Sequence, residues 1–113
     1  MFLAEVESEI LNKMQRRIVQ NFLDVVILLE LRKRPLSGYD VISFIHNKFG
    51  LLLSSGTVYS YLYSLERDGL IKGEYSQRRR VYTLTERGEE TAKAYLNAKG
   101  KILGLLLNLF VGE

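Results

Sequence analysis

The chain has 113 residues, 47% of them hydrophobic, which is enough for one domain with its own core and short for two. A net charge of +3 permits nucleic-acid binding without requiring it, and the absence of cysteine excludes disulfides and thiolate metal sites. An acidic N-terminus unlike a signal peptide, and no apolar run near the roughly 20 residues that span a bilayer, predict a soluble cytoplasmic protein without a membrane partner.

The N-terminal segment predicts an amphipathic helix over residues 1–18. Its apolar stripe consists of Leu3, Val6, Ile10 and Met14. A second apolar stripe consists of Phe22, Val25, Val26 and Leu29. This second stripe either continues the first helix or belongs to a new helix that starts near Asn21. Pro35 ends the segment, because the residue before a proline disfavours helical backbone geometry.

Two further helices follow, each with a local start signal. Ser37 and Asp40 have the spacing of a capping box, and the helix that they open ends at Gly50. Its predicted buried residues are Ile42, Ile45 and Phe49. Ser54 is a good N-cap for the next helix, and Gly69 is a natural end for it. The predicted buried stripe of this helix consists of Val58, Tyr61, Leu62 and Leu65.

The pattern then changes from helix to hairpin and back. Residues 71–75 and 80–84 predict two strands around a polar turn at 76–79, and Thr85 opens a long helix. One side of that helix carries Ala92, Leu96, Leu103, Leu106 and Phe110. Gly100 and Gly104 favour a bend or a close helix contact. We therefore predict a mainly α protein with a small β-hairpin: an N-terminal helix (1–18), a winged helix-turn-helix (19–84) and a C-terminal dimerisation helix (85–113).

Two features of this fold predict contact with duplex DNA. The side of the third helix that faces away from its apolar stripe carries Ser55, Thr57, Tyr59, Ser60, Tyr63 and Ser64. Hydroxyls and tyrosines of this kind suit phosphates, base edges and sugars. The hairpin carries Arg78, Arg79 and Arg80, with Lys72 on the partner strand, which suits phosphates or a minor groove. The alternative for each feature is an ordinary solvated surface.

The two flanking helices predict a homodimer. The small core of the winged domain can hardly cover both apolar stripes, and exposed stripes of this size usually form interfaces. The predicted dimerisation residues are Leu3, Val6, Ile10, Met14, Leu96, Leu103, Leu106 and Phe110. Two-fold pairing would place two DNA-reading helices one turn of DNA apart. The alternative is that both helices fold back on their own domain.

The sequence does not predict an enzyme. His46 is its only histidine, so neither a zinc site nor a Ser-His or Cys-His arrangement can be assembled within one chain. The carboxylates are placed as helix caps and surface charges, and no glycine-rich loop could hold a phosphate. We expect no catalytic residues, no metal and no cofactor.

Four motifs in order resemble the PadR family of transcriptional regulators. They are Pro35-Leu36-Ser37-Gly38-Tyr39-Asp40, Leu53-Ser54-Ser55-Gly56-Thr57-Val58-Tyr59, Leu65-Glu66-Arg67-Asp68-Gly69-Leu70-Ile71 and Tyr82-Thr83-Leu84-Thr85-Glu86-Arg87-Gly88. The resemblance covers roughly residues 19–90 and implies a winged-helix dimer that binds operator DNA, usually as a repressor. It also matches Tyr59 with the tyrosine of the family's recognition helix, and Ser54, Ser55 and Thr57 with the start of that helix.

The resulting functional prediction is a sequence-specific, double-stranded-DNA-binding transcriptional repressor that acts as a homodimer. Some members of the family release DNA on binding phenolic acids or planar drugs, but no residue set here marks such a pocket, and any effector is unknown. Tyr95 and Phe110 could line one, although core packing fits them better. The main alternative is a winged-helix module that binds a protein. A membrane-surface helix and RNA binding are weaker alternatives.

Overall fold

The structure, a computed structural model, describes residues 2–111 and confirms a mainly helical winged helix-turn-helix. The elements in chain order are α1 (Phe2–Asn21), α2 (Leu23–Leu31), β1 (Leu36–Ser37), α3 (Gly38–Phe49), α4 (Ser55–Arg67), β2 (Ile71–Ser76), β3 (Arg79–Leu84), α5 (Glu86–Leu107) and a final 3₁₀ turn (Asn108–Phe110). We call α4 the recognition helix, and β2 with β3 the wing.

The junction between α1 and α2 is a kink at Phe22. Its φ of −113° and ψ of 27° leave the helical region, yet its N–H still donates to the Ile18 carbonyl at 2.9 Å. The predicted apolar stripe of α2 is confirmed only in part: Val26 and Leu29 pack half-buried against the core, whereas Phe22 is 47% exposed. The fully buried face consists of Leu23, Ile27, Leu28 and Leu31. Because α2 is apolar on nearly every side, its periodicity does not select the inward face. The helix also ends at Leu31, three residues before Arg34.

The start signals of α3 and α4 are confirmed. The Ser37 hydroxyl accepts the Asp40 N–H at 3.1 Å, and the Asp40 carboxylate accepts the Ser37 N–H at 2.9 Å. This capping box satisfies two of the donors that a helix start leaves open. Gly50 and Gly69 adopt φ of 69° and 78°, the left-handed geometry that glycine enters without a Cβ clash.

Burial alone would raise the pKa of Asp40, but the Ser37 hydrogen bonds, with Arg79 and Arg34 nearby, outweigh it and lower that pKa below 3.8. A lowered folded-state pKa stabilises the protein above the unfolded value, and this stabilisation disappears as the pH falls through the folded one. Asp40→Ala should therefore reduce the free energy of unfolding by about 1 kcal/mol at neutral pH. Denaturant unfolding of both proteins should give a stability difference that begins to shrink below about pH 4 and continues to shrink as the pH falls through the lowered pKa of Asp40. A difference that stays constant down to low pH would contradict this assignment.

The core is formed where α2, α3 and α4 meet the sheet. Its largest fully buried side chains are Tyr82, Leu23, Ile27, Leu28, Leu36, Ile45, Leu62, Ile71, Val41 and Val58. Burial of the predicted Ile45, Val58, Leu62 and Leu65 is confirmed. The predicted Ile42, Phe49 and Tyr61 are only half-buried and pack against the edge of this cluster. The winged domain thus has a single core.

The wing belongs to a three-stranded antiparallel sheet rather than to an isolated hairpin. The strand order is β1-β3-β2. The additional strand is β1, whose Leu36 pairs with Tyr82 of β3. Sequence patterns missed β1 because two residues carry no periodicity. Each wing strand is one residue longer at the tip than predicted, so Ser76 pairs with Arg79 and only two residues form the turn.

The helix α5 begins at a Thr85 cap and continues as helix through Gly100 and Gly104. An added Cβ at either glycine would meet nothing within 4 Å, so neither makes the predicted close helix contact within the described part of this chain. The chain is elongated, with a radius of gyration of 16.2 Å, whereas a compact chain of this length has about 13 Å. Ala92 is fully buried in the core, but the residues of α5 beyond it are half-buried or exposed. Both α1 and the end of α5 therefore present apolar side chains outside the core.

Candidate nucleic-acid interface

The N-terminal turn of the recognition helix is capped and open to solvent. The Ser54 hydroxyl accepts the Thr57 N–H at 3.2 Å and lies 2.9 Å from the Thr57 hydroxyl. Ser55 and Gly56 are exposed, and the first N–H groups of a helix have no partner within it. Those groups, together with the positive end of the helix dipole, can bind a phosphate.

Tyr59 is half-buried, whereas the sequence placed it on the exposed side of the recognition helix. Its ring lies over Gly38, where an added Cβ would come within 2.6 Å of both Cε1 and the hydroxyl oxygen. Because Gly38 has no side chain, the Tyr59 ring can lie against the start of α3. Tyr63, one turn further along, is 61% exposed, and the two rings lie 6.1 Å apart at 40°.

Tyr39 is a candidate that the sequence interpretation missed. It follows Gly38 at the start of α3 and is 69% exposed. Its neighbour Gly38 lies against the Tyr59 ring, so Tyr39 extends the candidate surface from the recognition helix to the start of α3. Tyr39 belongs to the first of the four family motifs, but a motif does not show which side chains face outward.

The wing turn, Gln77–Arg78, has an unfavourable backbone conformation. Gln77 has a φ of 50° and Arg78 a φ of 69°, both in the left-handed region. A two-residue hairpin turn requires positive φ, and Asn-Gly is the usual solution. Non-glycine residues there cost roughly 1–2 kcal/mol each. The turn therefore holds a long cation at the wing tip where glycine would be more stable, which suggests a functional reason.

The predicted wing cations have different surroundings. Arg78 is exposed at the tip, and Arg79 lies 3.5 Å from the Asp40 carboxylate. Lys72 is 3.8 Å from Glu74 on the same strand, with both side chains mostly exposed. These two ion pairs are long and solvated, so a phosphate can compete for their cations at little cost.

Arg80 is turned toward the recognition helix instead. Its Nη2 donates to Glu66 Oε2 at 2.6 Å, and the Glu66 hydrogen bond raises the pKa of Arg80 above its ordinary value. Burial raises the pKa of the neighbouring Tyr82, while Arg80 acts in the opposite direction. DNA contact by Arg80 stays a prediction that this geometry does not favour. Glu66 was missed, because no local pattern links positions 14 residues apart.

The predicted dimerisation residues lie mostly on open surface. Val6 is half-buried, and the others are exposed: Leu3, Ile10, Met14, Leu96, Leu103, Leu106 and Phe110. The end of α5 is apolar on further sides, with Leu105, Leu107 and Leu109 also exposed. Tyr95 is half-buried against the core, whereas Phe110 is 69% exposed, so Phe110 has no core-packing role within this chain.

One open groove of about 390 Å³ lies between α2, α3 and α5. Val26, Leu29, Phe44, Phe49 and Leu96 supply its apolar lining. Lys48 lies over the Phe44 and Phe49 rings, 5.5 and 5.6 Å from their centroids. Over residues 2–111, no cluster of three metal-ligating side chains occurs, and His46 is exposed. No helix in that range is sufficiently long and apolar to cross a membrane.

The sequence motifs and the winged fold agree with a family model. The model of the transcriptional regulator PadR-like family matches residues 27–94, which include α3, the recognition helix and the wing. This chain belongs to the PadR-like family. Members of this family are transcriptional regulators with a DNA-binding winged helix-turn-helix. No curated protein sequence matches the chain significantly.

Solved structures resemble this PadR-like protein closely. A transcriptional regulator from Clostridium thermocellum is 26% identical, with a TM-score of 0.69 over 85% of this chain and 96% of the other. PadR of Bacillus subtilis, solved in complex with operator DNA, is 30% identical with a TM-score of 0.58, over 66% of this chain and 45% of the other. The same B. subtilis protein, solved with p-coumaric acid, is also 30% identical, with a TM-score of 0.57 over 68% and 42% of the two chains.

Proposed function

We propose that this PadR-like protein is a sequence-specific transcriptional repressor that binds operator DNA as a homodimer. One observation carries the proposal: the hydroxyl and tyrosine face of the recognition helix lies beside a wing whose strained tip holds an exposed arginine. A helix that enters the major groove and a basic wing that contacts neighbouring phosphates form a complete winged-helix interface.

The recognition helix supplies the base-facing contacts of this proposal. Ser54 shapes its first turn, and the exposed N–H groups of that turn position it on a phosphate. The residues proposed to face bases, sugars or flanking phosphates are Ser55, Thr57, Tyr59, Ser60 and Tyr63. No bidentate arginine, asparagine or glutamine is exposed in its first turns, so we infer that DNA shape contributes strongly to specificity.

The wing supplies the phosphate contacts. Arg78 is assigned to a phosphate at the wing tip. Arg79 and Lys72 are assigned to flanking phosphates, which would displace the solvated carboxylates that now pair with them.

The homodimer is proposed from the two uncovered apolar stripes on α1 and α5. Each subunit would then place its recognition helix on one half-site of a palindromic operator. The two half-sites would lie about 34 Å apart. A protein that acts on operator DNA works in the compartment that holds the DNA, and we infer the cytoplasm. B. subtilis PadR was solved with p-coumaric acid, and in this chain we propose the groove beside Phe44 as the site for a small-molecule effector.

The DNA-binding proposal is tested by fluorescence anisotropy with a labelled duplex of the gene's own upstream region and a shuffled duplex of equal composition. We expect the upstream duplex to bind at least about a thousandfold more tightly, with affinity that falls steeply as salt rises. Equal affinity for the two duplexes would contradict sequence-specific regulation. Weak, salt-independent binding to both would favour a protein-binding module instead.

The dimer is tested by placing charge on the α5 stripe. Leu103→Asp with Leu106→Asp should convert a species of twice the 13.0 kDa chain mass into a monomer, because aspartate in an apolar interface is left without partners. Sedimentation equilibrium measures the mass. The control is Leu52→Asp. Leu52 is 71% exposed and lies outside both apolar stripes. A wild-type protein that sediments as a monomer, or a double variant that remains dimeric, would argue against this interface.

A further inference from the structure

Arg80 connects the wing to the recognition helix. Glu66 lies in the last turn of α4, and the 2.6 Å ion pair joins it to Arg80, the last of the three wing arginines and the second residue of β3. The two side chains are 29% and 35% exposed, so this pair is less solvated than the other wing ion pairs. A short charge-assisted hydrogen bond in this setting restricts geometry more than a surface pair does.

Gly73 lets the same carboxylate hold the second wing strand. Its N–H, on the edge strand β2, donates to Glu66 Oε2 at 3.1 Å. A Cβ at position 73 would lie 2.5 Å from Arg80 Nε and 2.9 Å from Tyr82 Cε1. Glycine therefore opens the path by which Arg80 crosses β2, and one oxygen of Glu66 holds both strands.

Two aromatic rings confine the guanidinium of Arg80. Its Cζ lies 5.7 Å from the Tyr75 ring centroid and 5.8 Å from that of Tyr82, which is fully buried. These distances fall within the range of cation–π attraction. Arg80 is thereby held along the sheet, and its charge is directed toward α4 rather than toward the wing tip.

We propose that Glu66 is a positioning residue for DNA binding, which sets the angle between wing and recognition helix through Arg80 and Gly73 and so places Arg78 on a phosphate. Arg80 transmits this constraint and does not contact DNA. The inference rests on the proposed function, since it concerns how the two parts of that interface are held together.

The direction in which one substitution changes DNA affinity separates this proposal from simple electrostatics. Glu66→Gln removes a negative charge near a polyanion and frees Arg80, so electrostatics alone predicts tighter binding. Under the proposal, Glu66→Gln lets the wing move relative to the recognition helix, and Arg78 then loses its phosphate contact. Operator affinity should then fall about thirtyfold for a dimer at about 0.15 M salt, the effect of one lost phosphate contact per subunit.

The experiment measures anisotropy with the upstream duplex for wild type, Glu66→Gln, and the control Glu74→Gln. Glu74 lies on the wing, and its side chain is 76% exposed. Glu74→Gln therefore removes the same charge as Glu66→Gln and leaves the Glu66–Arg80 ion pair in place. We expect Glu66→Gln to weaken binding and Glu74→Gln to leave it unchanged or slightly tighter. Circular dichroism confirms that each variant is folded at the assay temperature.

A second arm shows whether Glu66 acts through wing position. Arg78→Gln should weaken the wild type about thirtyfold but the Glu66→Gln protein less than about threefold, because a displaced wing has no contact left to lose. Loss of global stability alone would leave the Arg78 contribution intact in the folded molecules. The two residues do not touch, so additivity is the expectation if Glu66 has no positioning role.

The outcomes are distinct. Weaker binding by Glu66→Gln together with a lost Arg78 effect supports the positioning role. Tighter or unchanged binding, or additive effects of the two substitutions, overturns it while wild-type operator binding stands. If the wild type itself does not prefer the upstream duplex, the proposed function fails and the positioning role fails with it.

Discussion

Replacing Arg78 and Arg79 together with glutamine is expected to weaken operator binding on the order of a thousandfold at about 0.15 M salt. Each phosphate contact contributes about 0.9 to the logarithmic salt slope of affinity, and a dimer would lose two such contacts per subunit. Arg78 is exposed at the tip, and Arg79 has only a 3.5 Å partner in Asp40, so both are available to DNA. Anisotropy over a series of salt concentrations measures the affinity and the slope.

The matched control for this pair is Arg16→Gln with Arg17→Gln. Both arginines are exposed on α1, and their replacement removes the same charge from a helix outside the proposed DNA interface. If the control variant loses as much affinity and slope as the wing variant, the wing has no special role. The effect would then reflect only the net charge of the protein.

Gly88→Ala is expected to lower the free energy of unfolding by about 3 kcal/mol, near the upper end for overpacking a buried site. A Cβ at Gly88 would collide with the Leu70 carbonyl oxygen and lie 3.0 Å from Leu84 Cδ2. The backbone at Leu70 cannot move freely, because the Leu70 carbonyl accepts the Thr85 N–H at 3.1 Å. The start of α5 would have to shift away from the entry to the wing.

Thermal unfolding followed by circular dichroism measures this effect, and a fall in Tm of at least about 10 °C corresponds to it. Gly56→Ala is the control, since its nearest neighbour lies at 4.0 Å and a helical glycine gains about 0.5–1 kcal/mol on change to alanine. Equal Tm values for Gly88→Ala and the wild type would show that the α5 start is not packed against Leu70 as described.

The parts of the fold that were predictable from sequence are those with local causes. Ser37 caps α3 with Asp40 three residues away, and Gly50 and Gly69 adopt the left-handed geometry that their positions indicated. The amphipathic stripe of the recognition helix was likewise correct at Val58 and Leu62. In α2, by contrast, nearly uniform apolarity left the inward face undetermined until the other helices packed against it.

The sequence predicted which helices and strands form the candidate site, but not which of their residues contact one another. Tyr59 turns toward Gly38, which belongs to another helix, and the strand β1 exists only through its pairing with β3. The three adjacent wing arginines look equivalent in sequence, yet Glu66 engages Arg80 and leaves Arg78 exposed. These differences arise from contacts between distant segments, which composition and periodicity do not encode.

Amide NMR of the ¹⁵N-labelled protein, titrated with the upstream duplex, tests the proposed interface most directly. We predict that the largest shift changes fall on residues 54–63 of the recognition helix region and on 76–79 at the wing turn. Residues 2–18 of α1 and the end of α5 should change little, because they are assigned to the dimer contact. Large changes on α1 and α5 with none at 76–79 would contradict the account and place any DNA contact on another surface.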